Sequence, residues 1–168
     1  MIGAFLALGL LLAPVPAEAA PAVRGPCAGE ACIWFRETGR RLAGSSPRGT
    51  LLRLRVRWWE SKHPQGRNAT GQRTETVYAR CSVSVPALVE RRGAVWWERP
   101  IDPVAQALAG ADRASVNLAA LVALYAWACH GIRPGDAAPP GLAALYPART
   151  MAGEREARPL NQPEDALQ

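Results

Sequence analysis

The chain has 168 residues, with 20 Lys and Arg against 14 Asp and Glu and a formal charge of +6. That length suits one ordinary domain, and beyond the first residues no apolar run approaches the ~20 residues of a membrane-spanning helix. Lys62 is the sole lysine, and Ala, Arg, Gly and Pro are all abundant. A GC-rich coding bias explains the arginines more simply than selection for an anion-binding surface, although the guanidinium fork does grip carboxylate and phosphate bidentately.

Residues 1–19 read as an export signal. An uncharged apolar run, 2–15, is followed by Ala17-Glu18-Ala19, a small-x-small site with cleavage expected after Ala19. The n-region has no Lys or Arg, and the rival is an uncleaved anchor, for which the run is short. Residues 20–26 are a Pro/Ala-rich leader expected to be flexible. Cys27, Cys32, Cys81 and Cys129 all follow the signal. An even count behind such a segment predicts disulfides and an oxidising compartment, periplasmic or secreted. Three pairings are allowed. Cys27–Cys32 with Cys81–Cys129 is favoured, because the first two are near neighbours and the last two end long regular elements. In the chain-entropy model the long loop contributes roughly 4 kcal/mol and the short one roughly 2 kcal/mol.

The aromatics of 33–35 favour a short strand, and residues 37–49, rich in Gly, Ser and Pro, a loop. Residues 52–58 alternate: Leu52, Leu54, Val56 and Trp58 fall on one face, and Arg53, Arg55, Arg57 and then Trp59 on the other. That is a half-buried strand with a basic outer face. Residues 61–72 are a polar loop; its Asn68-Ala69-Thr70 triplet matters only in a host that glycosylates exported proteins. Residues 73–85 form the clearest strand. Glu75, Val77, Ala79, Cys81 and Val83 share the expected inner face, against Thr74, Thr76, Tyr78, Arg80 and Ser82. A long hairpin with 52–58 follows, then a tighter one over 87–97 turning at Gly93. Pro100 and Pro103 mark the exit from the sheet, with a helical turn or two over 104–108. A helix is expected from Ser115, as N-cap, to His130, with Gly131 as the C-terminal cap and Leu118, Leu121, Val122, Tyr125 and Cys129 at helical spacing. A strand over 121–129 is the rival. One apolar patch, 142–146, precedes a polar, aperiodic tail, 147–168, expected to be disordered.

Motifs for chemistry are sparse. Two histidines, His63 and His130, with neither HExxH nor paired CxxC, predict no metal site of the common zinc type. Cys129-His130 lacks the second cysteine of a haem attachment motif, because Ala126 holds that position. There is no GxSxG elbow and no glycine-rich phosphate loop, and no cofactor is expected. His63 reads as a solvated loop histidine, and His130 as a cation complementing the helix dipole. Glu60 and Glu98 each follow a Trp-Trp pair, and if they faced each other they would outline a sugar-cleaving site. Strand-end glutamates pairing with arginines are far commoner.

In a strand each Trp-Trp pair sends one ring to each face. Trp59 beside Arg53, Arg55 and Arg57 is therefore a candidate binding surface for an anionic envelope glycan, a lipid headgroup or a protein. Arg and Trp are the residues enriched in binding hot spots. The competing reading is that a helix or the tail covers the Trp rings. An export signal makes nucleic acid the poorest ligand. The sequence thus predicts one α+β domain over 27–146, with four to five antiparallel strands in two hairpins and a helix packed on one face. Its expected role is non-catalytic binding in the envelope; the alternatives are a periplasmic hydrolase using His63 or Glu60/Glu98, and an inhibitor of a secreted enzyme.

Overall fold

The structure, a computed structural model, describes residues 20–103, 113–133, 145–146 and 156–168. The export segment, the turns at 104–108 and most of the patch at 142–146 lie outside the described residues. The described residues form one antiparallel sheet whose strand order follows the chain: β1 (Val23–Ala28), β2 (Ala31–Ser46), β3 (Gly49–Ser61), β4 (Thr70–Cys81), β5 (Ala87–Arg92), β6 (Val95–Pro100) and β7 (Arg158–Leu160). The helix α1 (Arg113–His130) lies between β6 and β7 in sequence, and a 3-10 helix, Pro163–Leu167, ends the chain.

Seven strands replace the four or five expected. The leader is not loose: it supplies β1, with Pro26 on an edge strand, where its missing N–H breaks no ladder. The expected loop at 37–49 continues β2, which pairs with β3 from Cys32↔Ser61 to Ser46↔Gly49. Its polarity misleads because that stretch is only half covered, and its glycines sit at bulges, between Glu37 and Gly39 and between Leu42 and Gly44. The tail is corrected too. Residues 158–160 pair with β6, and the 3-10 helix folds back on the sheet. A three-residue strand and a five-residue helix are too short to leave a periodic signal.

Register assigns every strand residue to one of two faces. The helix face carries Phe35, Leu54, Val56, Trp58, Val77, Ala79 and Leu88, packed with Val116, Ala120, Leu124, Tyr125 and Ala128 of α1 into the main core. The i, i+4 set inward is thus Val116, Ala120, Leu124 and Ala128, whose two alanines bring the helix close to the sheet. Leu118 and Leu121 lie to its side. Burying Leu124 alone contributes about 2 kcal/mol. The helix begins two residues before Ser115, so Ser115 is no cap. It ends at Gly131, whose φ of 67° and N–H to the Trp127 carbonyl, 3.0 Å, make a left-handed cap.

The disulfides join Cys27 to Cys32 across the β1–β2 hairpin, and Cys81 at the end of β4 to Cys129 in the last turn of α1. The second ties helix to sheet. Arg40, on the helix face, reinforces it: its guanidinium chelates Glu37 at 2.7 and 2.8 Å and donates to the Ala128 carbonyl at 3.1 Å. The pair with Glu37 holds the Arg40 guanidinium above its ordinary value. Among the described residues no helix is long and apolar enough to cross a membrane.

Candidate functional site

The second face of the sheet is divided into three zones. At one end the C-terminal residues cover it: Leu160 and Ala166 pack with Leu51, Tyr78 and Val89. Arg80, read from the sequence as outward, is buried beneath them. It pairs with the buried Glu98 at 2.5 Å and donates to the carbonyls of Val85, at 2.7 Å, and Ala166. Glu98 uses its other oxygen to hold Arg158 of β7, also at 2.5 Å. The tail is therefore fastened by a carboxylate shared between two guanidiniums.

At the opposite end the 62–69 loop folds over the sheet. Trp59 stacks on Trp34, ring centroids 6.4 Å apart, and donates its indole N–H to the Gly66 carbonyl at 2.9 Å. Gly66 has a φ of 69°, and a Cβ there would stand 2.8 Å from the Trp34 ring. Trp59 is only 8% exposed. The expectation of an outward, ligand-ready Trp59 is thus corrected, because the polar loop that seemed solvated closes over the ring. His63 serves the same loop: its Nδ1 accepts the Gln65 backbone N–H at 3.1 Å.

Between these covers the face is open and lined by arginine. On β3 Arg53 is partly covered, and Arg55 and Arg57 are exposed. Alongside them in register on β2 stand Arg36 opposite Arg57, Gly39 opposite Arg55 and Arg41 opposite Arg53. Across the sheet their neighbours on β4 are Tyr78, Thr76 and Thr74, and Arg91 extends the same face on β5. The β2 bulge decides which arginine joins this face. Without the extra residue between Glu37 and Gly39, Arg40 would align with Arg53. With it, Arg40 turns to the helix and Arg41 to the open side. Arg57 donates to the Gln72 side-chain oxygen, a neutral partner. Among the described residues Arg36, Arg41, Arg53 and Arg55 have no carboxylate partner, and no carboxylate shares the open part of the face. Sequence reading missed Arg36 and Arg41, since the run containing Arg41 looked like a loop.

The helix face holds a different opening, a cleft of about 560 Å³ between α1 and the sheet, lined in part by Trp58, Glu60, Glu75, Glu90 and Arg99. Its charges are mutually compensated: Arg99 meets Glu90 at 3.1 Å and Arg73 meets Glu75 at 3.7 Å. Glu60 belongs to this cleft, whereas Glu98 lies on the other face under the tail. The outlined carboxylate pair is therefore not assembled: Trp58 faces the helix and Trp96 the other side, and the glutamate two residues beyond each shares its face. Among the described residues no three His, Cys, Asp or Glu side chains gather as a metal ion would need.

His130 is corrected as well. Its Nε2 lies 2.7 Å from the Tyr146 hydroxyl, which in turn lies 2.9 Å from the Tyr125 hydroxyl. Tyr125 reaches the Ser82 carbonyl at 3.2 Å. Burial pushes both phenols above their ordinary values and holds the imidazole below its own, which disfavours half-buried His130 as the capping cation expected. No family model matches the chain, and searches of curated proteins and of solved structures likewise return no match.

Proposed function

We propose that this chain is an exported, non-catalytic domain that binds an anionic envelope glycan through the open arginine face. The observation that carries the reading is the group Arg36, Arg41, Arg53 and Arg55, placed on one sheet face with no carboxylate partner among the described residues. A structural arginine normally finds a carboxylate, as Arg40, Arg80, Arg92, Arg99 and Arg158 do here. Export is supported by the pattern at 1–19 and by two disulfides, which persist in oxidising compartments. A polymer lying on the sheet fits better than a headgroup in a bilayer, because Thr74 and Thr76, rather than large apolar side chains, separate the arginine row from β5. A protein partner would need an anchoring pocket or an exposed ring, and Trp59, the ring proposed for that role, is covered.

Retention on an immobilised anionic polysaccharide tests the reading. Binding should be firm at low salt and weaken as ionic strength shortens the screening length. Replacing Arg41, Arg53, Arg55 and Arg57 together with serine removes four surface contacts of about 0.5 kcal/mol each, a loss of about 2 kcal/mol, or roughly thirtyfold in affinity. Unchanged retention of the quadruple variant on envelope glycans at low salt would end the proposal.

A further inference from the structure

The Cys27–Cys32 bond differs from its counterpart in three respects. It joins residues directly opposite each other in a two-residue hairpin, whose other pairings, Val23↔Phe35, Arg24↔Trp34 and Ala28↔Ala31, do not depend on it. Its two sulfurs are unequal: Cys27 is half-buried, whereas Cys32 is buried with Trp34 and Trp59. And a cation is directed at it. The Arg24 guanidinium donates to the Cys32 sulfur from Nε at 3.4 Å and from Nη2 at 3.2 Å, and to the Cys27 sulfur from Nη2 at 3.5 Å. Arg24 has no carboxylate partner among the described residues. A neutral disulfide gains only weak, sulfur-accepted hydrogen bonds from such a neighbour. A cation beside a sulfur stabilises the thiolate that appears when the bond opens.

We propose that Cys27–Cys32 is a thiol–disulfide exchange site, with Cys27 the sulfur attacked and Cys32 the leaving thiolate held by Arg24, and that its partner is a dithiol. The partner's thiolate attacks the Cys27 sulfur. The Cys27–Cys32 bond breaks, a bond from partner to Cys27 forms, and the electron pair goes to the Cys32 sulfur. Two of the three guanidinium contacts are made to that sulfur. The partner's second thiolate then displaces Cys27, closing the partner's own disulfide. Two electrons have passed to the chain, and the two thiolates take up the two protons that the partner's thiols gave up. Exchange is faster when the leaving thiolate is stabilised, and the Arg24 guanidinium stands beside the sulfur that leaves. Because the hairpin is otherwise paired, opening stays local and the bond to Cys129 is untouched. This inference stands apart from the glycan reading and uses none of its residues.

The test treats the folded, oxidised protein with dithiothreitol as the dithiol probe, traps free thiols with iodoacetamide and maps them by mass. Cys27 and Cys32 should be labelled at least about tenfold faster than Cys81 and Cys129, with a rise in tryptophan fluorescence as the neighbouring disulfide stops quenching Trp34. The deciding variant is Arg24→Gln. Its Cys27–Cys32 bond should open about three- to tenfold more slowly in the folded state, with Arg24→Lys restoring most of the rate. In denaturant the parent and Arg24→Gln should open at equal rates. Glutathione, a monothiol probe, should leave its adduct on Cys27. Equal folded-state rates for the parent and Arg24→Gln would overturn the assignment, and so would a first adduct on Cys32. A Cys27→Ser/Cys32→Ser double variant that keeps the parent's circular dichroism supports local opening, and one that unfolds overturns it.

Discussion

Glu98 offers a sharp test of how the chain's last residues are held. It is 3% exposed, and its two oxygens are each 2.5 Å from a guanidinium nitrogen, one from Arg80 and one from Arg158. Arg80 is 2% exposed, whereas the Arg158 side chain keeps about half its surface in water. Glu98→Gln keeps the shape and removes the charge. Arg80 is then left buried beside a neutral amide, still donating to the carbonyls of Val85 and Ala166. Breaking a buried pair in this way costs about 3–5 kcal/mol, because the surviving charge has lost its counter-charge but not its desolvation. Set against a typical domain stability of about 5–15 kcal/mol, that is a large fraction. Arg158→Ala, at the wet end of the same triad, should cost only about 0.5–1 kcal/mol. Urea unfolding with both disulfides intact measures both: at a slope of about 2 kcal/mol per molar, the Glu98→Gln midpoint should fall by about 2 M and that of Arg158→Ala by less than about 0.5 M. A Glu98→Gln loss below about 1 kcal/mol, or losses of equal size in the two variants, would refute the assignment of Arg80 as a charge that depends on Glu98.

Three further outcomes follow from the same geometry. The folded state holds His130 below its ordinary value of 6.5, so the unfolded chain binds the extra proton first and stability falls as pH drops below about 6.5; thermal midpoints across pH 5–8 should show that fall, and His130→Gln should flatten it. Removing the Cys81–Cys129 bridge by double alanine substitution should cost about 4 kcal/mol and removing Cys27–Cys32 about 2 kcal/mol, so chemical denaturation should rank them in that order. Gly66→Ala forces a Cβ onto the Trp34 ring from a left-handed backbone, and should lower stability by about 1–3 kcal/mol with a red-shifted tryptophan emission as the loop lifts from Trp59.

The elements that could be read from the sequence are those whose burial writes a period. Leu52, Leu54, Val56 and Trp58 alternate because one side of β3 faces α1, and Gly93 marks its hairpin because the first of the two loop residues has a φ of 61°. The Cys81–Cys129 link was suggested by two regular elements each ending in a cysteine. What escaped the sequence escaped for a physical reason. The second half of β2 is held by backbone pairing to β3 rather than by side-chain burial, so Arg40, Arg41 and Gly44 leave a loop's signature. In β4 the alternation fails where both faces are covered: Tyr78 and Arg80 are as buried as Val77 and Ala79.

The same double covering defines the arginine site. Arg53, Arg55 and Arg57 were visible as an outward row, but a sheet face is accessible only where no other segment lies on it. The 62–69 loop removes Trp59 from one end of that row, and the residues after Arg158 remove Arg80 from the other. What remains is set by the bulge after Glu37, which exchanges Arg40 for Arg41 on the open side. Two neighbouring arginines thereby take opposite tasks: Arg40 grips Glu37 and the end of α1, and Arg41 stands beside Arg53 with no carboxylate partner among the described residues. A substitution that removed the bulge would bring Arg40 to the open face and take from α1 the guanidinium that meets the Ala128 carbonyl. Stability of the helix and charge of the face are therefore coupled through one inserted residue.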